Sequence, residues 1–291
     1  MRFRSGVAAI ASMTCVSALH AQTRPAVPLP RTEIHELAAK SNGQSYRISV
    51  SLPESYAQNP TARYPAIYVT DADWVFGITA QTQYLLRLDN AVPDALVVGI
   101  SRSGPTDVNI VGAVRSFDLS PTRDLGAEKI YLNRYKRETP TGGAAAFLRV
   151  FLDELIPDIE RTYRTNGDRT YIGYSLGGLF GAYALFQSPD TFGRMILVSP
   201  SLMWDDDTML KQEAAYAAGH KQLHVRLFMS AGEFETPEMV SDMRTMANAL
   251  TAHYPGVELS TKIFEGERHL STFPVAVTRG LKIVFAEKPK T

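Results

Sequence analysis

A serine flanked by glycines lies in the stretch Gly173-Tyr174-Ser175-Leu176-Gly177. Glycines two positions away on either side let the backbone make a sharp turn that lifts the serine oxygen out of a sheet. A strand-like run, residues 169–172, precedes this turn, and a helix-like run rich in small residues follows it. The start of such a helix offers backbone N–H groups and the positive end of its dipole to developing negative charge. The pattern predicts that Ser175 is a nucleophile; the alternative is a glycine-rich packing turn with an incidental serine.

A serine hydroxyl is a poor nucleophile without a base, and in the chain order serine, acid, histidine the base lies downstream. His269 follows the last predicted strand, residues 257–264, at the carboxyl edge of the sheet, where ligands bind in folds of this kind. We therefore predict that His269 is the base. The other histidines fit a leader, the first hairpin, the opposite end of the sheet or a helix end: His20, His35, His220, His224 and His253.

An orienting acid should follow the preceding strand, residues 223–230, in the loop formed by residues 231–236. This loop contains Glu233 and Glu235, and both are eligible. We favour Glu235, which comes three residues after Gly232, and expect the other glutamate to be a solvated loop carboxylate. The acid would hold the imidazole in the required tautomer and stabilise the imidazolium without taking the proton itself.

Strand and helix patterns alternate along the chain. Period-two alternation at residues 33–40 and 44–52, around Ser41-Asn42-Gly43-Gln44, predicts an antiparallel hairpin. Short β-branched runs without alternation, typical of strands buried on both faces, follow at residues 65–70 and 95–100. Further strands are predicted at residues 169–173, 195–199, 223–230 and 257–264. Helical patterns lie between them, among others at residues 79–88, 143–164 and 237–253. This order predicts an α/β fold with a mostly parallel sheet, covered by helices on both faces and headed by the hairpin.

Residues 101–143 interrupt this alternation. The segment shows little periodicity and several turn-forming residues, and it is too long for a plain connection. We therefore predict a rim or cap insertion over the site. Basic residues outnumber acidic ones between positions 115 and 137, which would favour anionic ligands; a solvated charged loop is the alternative.

The first 21 residues have the layout of a secretory signal peptide, with Arg2 and Arg4, an apolar run at residues 7–19 and a small residue, Ala21, at the end. Cleavage there would leave an extended leader at residues 22–31 and a catalytic domain at residues 32–291, in the periplasm or outside the cell. Two alternatives stay open, which are a lipid anchor on Cys15 and an apolar N-terminus that is retained.

The composition excludes several classes of protein. The 291 residues carry 30 basic and 30 acidic side chains with no Lys/Arg stripe, so we expect no nucleic acid partner. No run of about 18 apolar residues is present, which excludes a transmembrane span. The single cysteine excludes an internal disulfide and a cysteine metal site. His220 and His224 have a spacing seen at metal sites but no evident third ligand, and Asp205-Asp206-Asp207 fits a charged loop; we predict no metal and no cofactor.

Taken together, these residues resemble the esterase family of α/β-hydrolases, which includes enterobactin and bacillibactin trilactone esterases, feruloyl esterases, S-formylglutathione hydrolases and mycolyltransferases. The similarity extends from Tyr46 to about Phe285, and the siderophore esterases are the most similar branch. Besides the serine turn, the most family-like segments are residues 64–73, 97–100, 115–121, 151–157 and 199–204. Such a set of segments is far more specific than the serine pattern alone.

The resemblance implies the α/β-hydrolase fold and a serine esterase that cleaves small-molecule carboxylic esters through an acyl-enzyme. It implies a siderophore trilactone as the leading substrate. It also implies that Ser175 is the nucleophile, that His269 is the base and that the backbone N–H of Leu176 forms half of the oxyanion hole. The N–H of Ala72 or of Asp73 would supply the other half.

The chain departs from the family pattern in two places. Ala72 stands where the family often has glycine, and the acid is a glutamate in place of aspartate, whereas some siderophore esterases use only a Ser-His pair. Arg115 and Trp204 would line the pocket for an aromatic or anionic acyl group, or else form an ion pair and pack in the core. The alternative functions are acyl transfer with the same triad, a general or feruloyl carboxylesterase activity, and ligand binding without catalysis.

Overall fold

The structure, a computed structural model, describes residues 27–287. Its strands are β1 (Thr32–Ala38), β2 (Ser45–Ser51), β3 (Tyr64–Thr70), β4 (Leu96–Arg102), β5 (Thr165–Tyr174), β6 (Arg194–Val198), β7 (Val225–Gly232) and β8 (Val257–Phe264). They form one eight-stranded sheet in the spatial order β1-β2-β4-β3-β5-β6-β7-β8. The predicted signal peptide, residues 1–21, lies outside the described residues.

The pairing of the strands confirms the predicted fold class. β1 and β2 form an antiparallel hairpin, and β2 runs antiparallel to β4. All neighbours from β4 to β8 run parallel, so that Ile67 lies beside Val97 and Ile172 lies beside Ile196. Because parallel strands end at the same edge of a sheet, the loops that follow β3, β5, β7 and β8 gather there.

Helices cover both faces of this sheet. They are α1 (Ala72–Leu88), α2 (Val108–Leu119), α3 (Leu125–Tyr135), α4 (Ala144–Arg149), α5 (Ile156–Thr162), α6 (Leu176–Gln187), α7 (Trp204–Gly219), α8 (Pro237–His253) and α9 (His269–Val284). One face packs against α1 and α9, with Phe76 and Phe273 in its core. The opposite core includes Phe151 and Phe180, next to the strand and helix that carry Ser175.

The core beneath the serine turn is built from aromatic rings. The Phe151 ring lies 6.3 Å from the Tyr171 ring of β5 and 5.7 Å from the Phe180 ring of α6, measured between centroids. Tyr171 and Phe180 themselves pack with centroids 6.0 Å apart. All three side chains are fully buried. Edge and tilted contacts of this kind are favourable beyond their buried area, and they fix the strand and the helix on either side of Ser175.

Helix α1 begins directly after β3, seven residues earlier than the predicted start at residue 79. The turn between them is made by Asp71 alone, in the left-handed region with φ 59° and ψ 36°. The helix then packs closely on β4, because a Cβ at Gly99 would lie 2.7 Å from Ala72 Cβ and 2.8 Å from Phe76 Cδ2. Strand, turn and helix follow without a connecting loop, so the first helical turn lies at the edge where the strands end.

The insertion at residues 101–143 is more regular than its sequence pattern predicts. It contains α2 and α3, whose first turns are capped by the side chains of Asp107 and Asp124. Helix α3 has no buried residue, which explains why no apolar periodicity marks it. The segment therefore contains two helices, and its role as a rim or cap over the site stays a prediction.

The long helix predicted at residues 143–164 is divided into three parts. A π-helical turn, Val150–Leu155, separates α4 from α5. Pro157 follows this turn and has no N–H to donate to the residues before it, which favours a change of helical geometry at this point. The turn carries Glu154, whose carboxylate accepts hydrogen bonds from the N–H groups of Lys40 and Ser41, each at 2.7 Å, in the turn of the first hairpin. Among residues 27–287, no helix is long and apolar enough to cross a bilayer.

Candidate active site

Ser175 occupies the turn between β5 and α6, in an unusual backbone conformation with φ 58° and ψ −117°. Such a conformation is costly for a residue other than glycine and persists only where its surroundings hold it. The flanking glycines are needed for space. A Cβ at Gly173 would lie 2.1 Å from the carbonyl oxygen of Gly177, and a Cβ at Gly177 would lie 2.5 Å from Thr70 Oγ1. The turn therefore lies directly against the end of β3.

His269 lies beside this serine. Its Nε2 atom is 3.0 Å from Ser175 Oγ, and the residue is the first of α9 rather than part of the loop before it. The Tyr174 hydroxyl donates to the carbonyl oxygen of His269 at 2.8 Å, and the two rings pack with centroids 5.0 Å apart. Burial raises the pKa of Tyr174, so its hydroxyl stays protonated and remains a donor. These contacts fix the position of the imidazole.

Glu235 lies on the other side of the imidazole. Its Oε2 atom is 3.0 Å from His269 Nδ1, and its side chain is 1% exposed. Its Oε1 atom accepts hydrogen bonds from the Ser199 hydroxyl and from the Gly232 N–H, the latter at 2.9 Å, and lies 3.4 Å from Thr272 Oγ1. Burial acts to raise the pKa of Glu235, but the hydrogen bonds outweigh burial and hold the pKa below its usual value. The group therefore stays a carboxylate.

Of the two eligible glutamates, the structure brings Glu235 to His269. Glu233 is exposed, and its Oε2 atom accepts a hydrogen bond from the Gly266 N–H at 2.8 Å. This hydrogen bond links the loop that carries Glu233 to the loop that follows β8. The two loops are also joined by a backbone hydrogen bond of 3.0 Å from the Phe234 N–H to the carbonyl oxygen of Glu267.

At this edge, the backbone N–H groups of Leu176 and Ala72 make no hydrogen bond to another described residue. Each residue is the first of its helix, α6 or α1, where the N–H has no partner within the helix. The N–H of Asp73 instead donates to Ser101 Oγ at 2.9 Å. Of the two residues that the sequence left open, only Ala72 thus has an unengaged N–H to pair with that of Leu176. Such N–H groups are suited to an anionic oxygen.

The structure places Arg115 and Trp204 next to the site rather than open to solvent. Arg115 forms an ion pair with Asp71, with Nε 2.6 Å from Oδ1 and Nη2 2.7 Å from Oδ2. Trp204 is buried, stacks on the ring of Tyr131 in α3, and donates through Nε1 to the carbonyl oxygen of Thr122 at 3.3 Å. Both residues therefore connect the insertion to the rest of the fold.

Sequence reasoning did not assign roles to three further residues of the site. Ser199, in the left-handed region at φ 46°, donates to Glu235, and Ser201 Oγ lies 3.4 Å from Ser175 Oγ. Both serines fall in the family-like segment 199–204. The family resemblance therefore pointed to this segment but did not reveal the contacts of the two serines. Asp71 was missed because its partner, Arg115, is 44 positions away in the chain.

The described residues contain no group of three or more His, Cys, Asp or Glu side chains arranged to hold a metal ion. His220 stacks on the ring of Tyr216 at 4.1 Å between centroids. The ring of His224 lies against Gly256, where an added Cβ would meet Nδ1 at 2.5 Å. The two histidines with metal-like spacing thus have packing partners of their own.

Two features together define an α/β-hydrolase. A serine lies on the turn between a strand and a helix of a mostly parallel sheet, and it is hydrogen-bonded to a histidine that follows the last strand. Within that class the chain belongs to the esterase family, whose model matches residues 39–276. The protein is thus a hydrolytic enzyme that acts on esters.

Individual relatives extend over most of the chain. It is 31% identical over 274 residues to the ferri-bacillibactin esterase of Bacillus subtilis, an alignment that covers 89% of this chain and 91% of the relative. It is 27% identical to the siderophore triacetylfusarinine C esterase of Aspergillus fumigatus, with 90% and 96% covered. Among solved structures, the BES protein from Bacillus cereus matches with a TM-score of 0.77 at 24% identity, covering 91% of this chain and 99% of that one. That last likeness concerns the fold alone.

Proposed function

We propose that this protein cleaves the ester bonds of siderophores, with Ser175 as the nucleophile. The observation that carries the proposal is the hydrogen-bonded series from Ser175 through His269 to Glu235, in which each step is 3.0 Å. The substrate class is supported by the relatives, since two of them are named as esterases of the siderophores ferri-bacillibactin and triacetylfusarinine C.

In the first half of the reaction, Ser175 Oγ attacks the carbonyl carbon of the ester while its proton passes to His269 Nε2. Glu235 accepts the hydrogen bond from Nδ1 and stabilises the imidazolium that forms. The carbonyl oxygen becomes an oxyanion, which accepts hydrogen bonds from the N–H groups of Leu176 and Ala72. When the tetrahedral intermediate collapses, the bond to the alcohol oxygen breaks, and that oxygen takes the proton from His269. The acyl group remains on Ser175.

In the second half, a water molecule replaces the alcohol. It gives one proton to His269 Nε2 as its oxygen attacks the acyl carbon, and the same oxyanion hole receives the negative charge. Collapse of this second intermediate breaks the bond to Ser175 Oγ, which recovers its proton from His269. The products are a carboxylic acid and an alcohol, and no cofactor takes part in either half.

The proposal is tested with purified residues 22–291 and the variant Ser175→Ala, on p-nitrophenyl acetate and on a ferric tricatecholate trilactone. Products are separated by chromatography. Removal of the nucleophile should lower kcat/KM by about 10³-fold or more on both substrates. A matched control is Ser188→Ala, because Ser188 lies at the far end of the same helix and bonds to Thr191; it should retain activity.

Each result has a definite meaning. Serine-dependent cleavage of the trilactone faster than of the simple ester supports the proposal. Cleavage of p-nitrophenyl acetate alone would keep the esterase and discard the siderophore. A new ester formed with added glycerol would indicate acyl transfer, and trilactone turnover by Ser175→Ala at the wild-type rate would contradict the mechanism.

We propose in addition that the protein is exported, with cleavage after Ala21. The support is the sequence alone, namely the basic start and apolar run of residues 1–21. The full chain should be expressed in a Gram-negative host, and the mass of the protein in the periplasmic fraction measured. A mass that starts at Gln22 is expected, whereas an intact N-terminus in the cytoplasm or a lipid-modified Cys15 would contradict the proposal.

A further inference from the structure

We infer that Arg115 is a positioning residue that keeps the two N–H groups of the oxyanion hole, those of Leu176 and Ala72, aligned with each other. The inference rests on the proposed function, because it assigns to Arg115 an effect on the reaction at Ser175. It differs from a role in substrate binding, since the contacts of the guanidinium are made to the protein itself.

The ion pair between Arg115 and Asp71 is bidentate and largely buried from solvent. Nε and Nη2 of the arginine lie 2.6 and 2.7 Å from the two carboxylate oxygens. The Asp71 side chain is 2% exposed and that of Arg115 is 12% exposed. Burial alone would lower the pKa of Arg115, but the Asp71 carboxylate more than compensates and raises it, so the guanidinium stays charged. Two parallel hydrogen bonds fix both the position and the orientation of a carboxylate.

Asp71 immediately precedes Ala72, whose N–H is unengaged. Its backbone adopts the left-handed region, and its side chain makes no capping hydrogen bond to α1. This region costs free energy for any residue with a Cβ, although less for aspartate and asparagine than for others, so contacts of the side chain help to hold the residue there. Within residues 27–287, the hydrogen bonds of the Asp71 side chain are those that it accepts from Arg115. The ion pair therefore maintains the turn that sets the direction of the Ala72 N–H.

The same guanidinium also reaches the other half of the hole. Arg115 Nη2 lies 3.4 Å from the carbonyl oxygen of Tyr174, the residue before Ser175. Tyr174 ends β5 and Asp71 follows β3, and these strands are neighbours in the sheet. One side chain thus connects the backbone that precedes Ala72 to the backbone that precedes Ser175 and Leu176.

Arg115 belongs to α2, so the support comes from the insertion at residues 101–143. The Trp74 ring covers the guanidinium, with the charged carbon 5.2 Å from the ring centroid. This contact adds a favourable cation–π interaction and limits the freedom of the arginine. The insertion therefore supplies a structural part of the reaction centre, in addition to whatever surface it offers to a substrate.

The expected consequence concerns the transition state more than the bound substrate. Hydrogen-bond donors aimed at a developing oxyanion act only when the negative charge forms, and small displacements weaken them strongly. Loss of the ion pair between Arg115 and Asp71 should thus lower kcat and leave KM nearly unchanged. A contact between Arg115 and the substrate would instead raise KM.

The test compares Arg115→Lys with Arg102→Lys in residues 22–291. Lysine keeps the charge but loses the planar fork that makes a bidentate contact. Arg102 is a matched control, because it forms a second buried, bidentate pair with Asp118 and makes no hydrogen bond to Asp71 or Tyr174. Activity on p-nitrophenyl acetate, inhibition by phenylboronic acid and thermal unfolding are measured for each. A boronate bound to Ser175 is tetrahedral and anionic, so its affinity reports on the oxyanion hole.

For Arg115→Lys, kcat and boronate affinity should both fall by about 10²-fold, with KM changed less than about 3-fold. Asp71→Asn should give a similar loss, since asparagine tolerates the left-handed backbone but breaks the ion pair. The double variant should be no worse than either single variant, because the two residues act as one unit. Arg102→Lys is expected to lose stability while kcat and boronate affinity stay within about 3-fold of wild type.

Unchanged kcat and boronate affinity in Arg115→Lys would overturn the inference, and so would a change in KM alone. Equal losses in Arg115→Lys and Arg102→Lys would show that any buried pair in this region has the same effect, and would also overturn it. If wild type cleaves no ester at all, the proposed function fails instead. The role of Arg115 can then be tested separately by phosphonylation of Ser175 with a fluorophosphonate, since the phosphonyl oxygen also enters the oxyanion hole. Arg115→Lys should slow this labelling, and Arg102→Lys should not.

Discussion

Glu235 binds His269 through one carboxylate oxygen only, with Oε2 3.0 Å from Nδ1. The other oxygen, Oε1, is held by the protein through the Ser199 hydroxyl and the Gly232 N–H. A glutamate side chain has one more rotatable bond than an aspartate, and ordering it costs more conformational entropy. Anchoring Oε1 restricts this freedom, so the longer acid can orient the imidazole as an aspartate would.

Replacement of Glu235 by glutamine should lower kcat by about 10²- to 10⁴-fold, because an amide can donate to Nδ1 and favour the wrong imidazole tautomer. KM should change little, since the acid does not touch the substrate. Steady-state kinetics on p-nitrophenyl acetate provide the measurement. Glu233→Gln is the matched control in the same loop, and activity close to wild type is expected from it.

If Glu235→Gln kept most of the wild-type kcat, Ser175 and His269 would be working as a pair without an acid. That outcome would agree with the pattern of some siderophore esterases and would leave Glu235 with a structural role. A larger loss in Glu233→Gln than in Glu235→Gln would contradict the assignment made from the geometry.

The Ser199 hydroxyl should matter for both stability and rate. It is fully buried and donates to a carboxylate, and a hydrogen bond to a charged group contributes about 1.5–3 kcal/mol. Ser199→Ala should therefore lower the free energy of unfolding by about that amount, with a smaller fall in kcat than in Glu235→Gln. Denaturant unfolding and kinetics measure the two effects. Thr79→Val removes an equally buried hydroxyl that donates to the carbonyl oxygen of Val75, and it should leave kcat unchanged.

Acid should weaken the fold partly through Glu235. Its pKa is raised by burial but lowered further by the hydrogen bonds from His269, Ser199 and Gly232, and the net shift is downward. Ionised Glu235 thus stabilises the fold above the unfolded pKa of about 4.3, and this contribution disappears as the pH falls through the lower folded value. The Tm of wild type should exceed that of Glu235→Gln at pH 7, and the difference should shrink below about pH 4. A constant difference down to pH 3 would speak against this linkage.

Much of the site could be predicted because its signals are local. The strand before Ser175, the glycines around it and the helix after it are neighbours in the sequence, and their geometry follows from a single turn. His269 and Glu235 were identified from the loops that follow the last two strands, since parallel strands end at a common edge. The choice of Glu235 over Glu233 agrees with the observed contacts, although the sequence pattern left both open.

The rest depends on contacts between distant parts of the chain. The ion pair of Arg115 and Asp71 joins residues 44 positions apart, and no periodic pattern marks it. Helix α3 escaped prediction because it buries none of its residues. The early start of α1 was missed because a single left-handed residue, Asp71, replaces the loop that usually separates a strand from a helix. In each of these cases tertiary contacts decide the structure. They either override the local sequence pattern or leave no trace in it.

The close approach of the serine turn to the end of β3 makes Gly177 a sensitive position. A methyl group there would lie 2.5 Å from Thr70 Oγ1 and 3.0 Å from Asp71 Oδ2, so Gly177→Ala must push the turn away from the residue that precedes Ala72. We expect a loss of both stability and kcat, with boronate affinity reduced in parallel because the two oxyanion donors are separated. Gly219→Ala is the control: it lies at the end of α7 with nothing within 4 Å of the added Cβ, and it should raise the free energy of unfolding by up to about 0.5–1 kcal/mol. A Gly177→Ala variant with wild-type kcat and boronate affinity would show that the turn and β3 can separate without harm to the oxyanion hole.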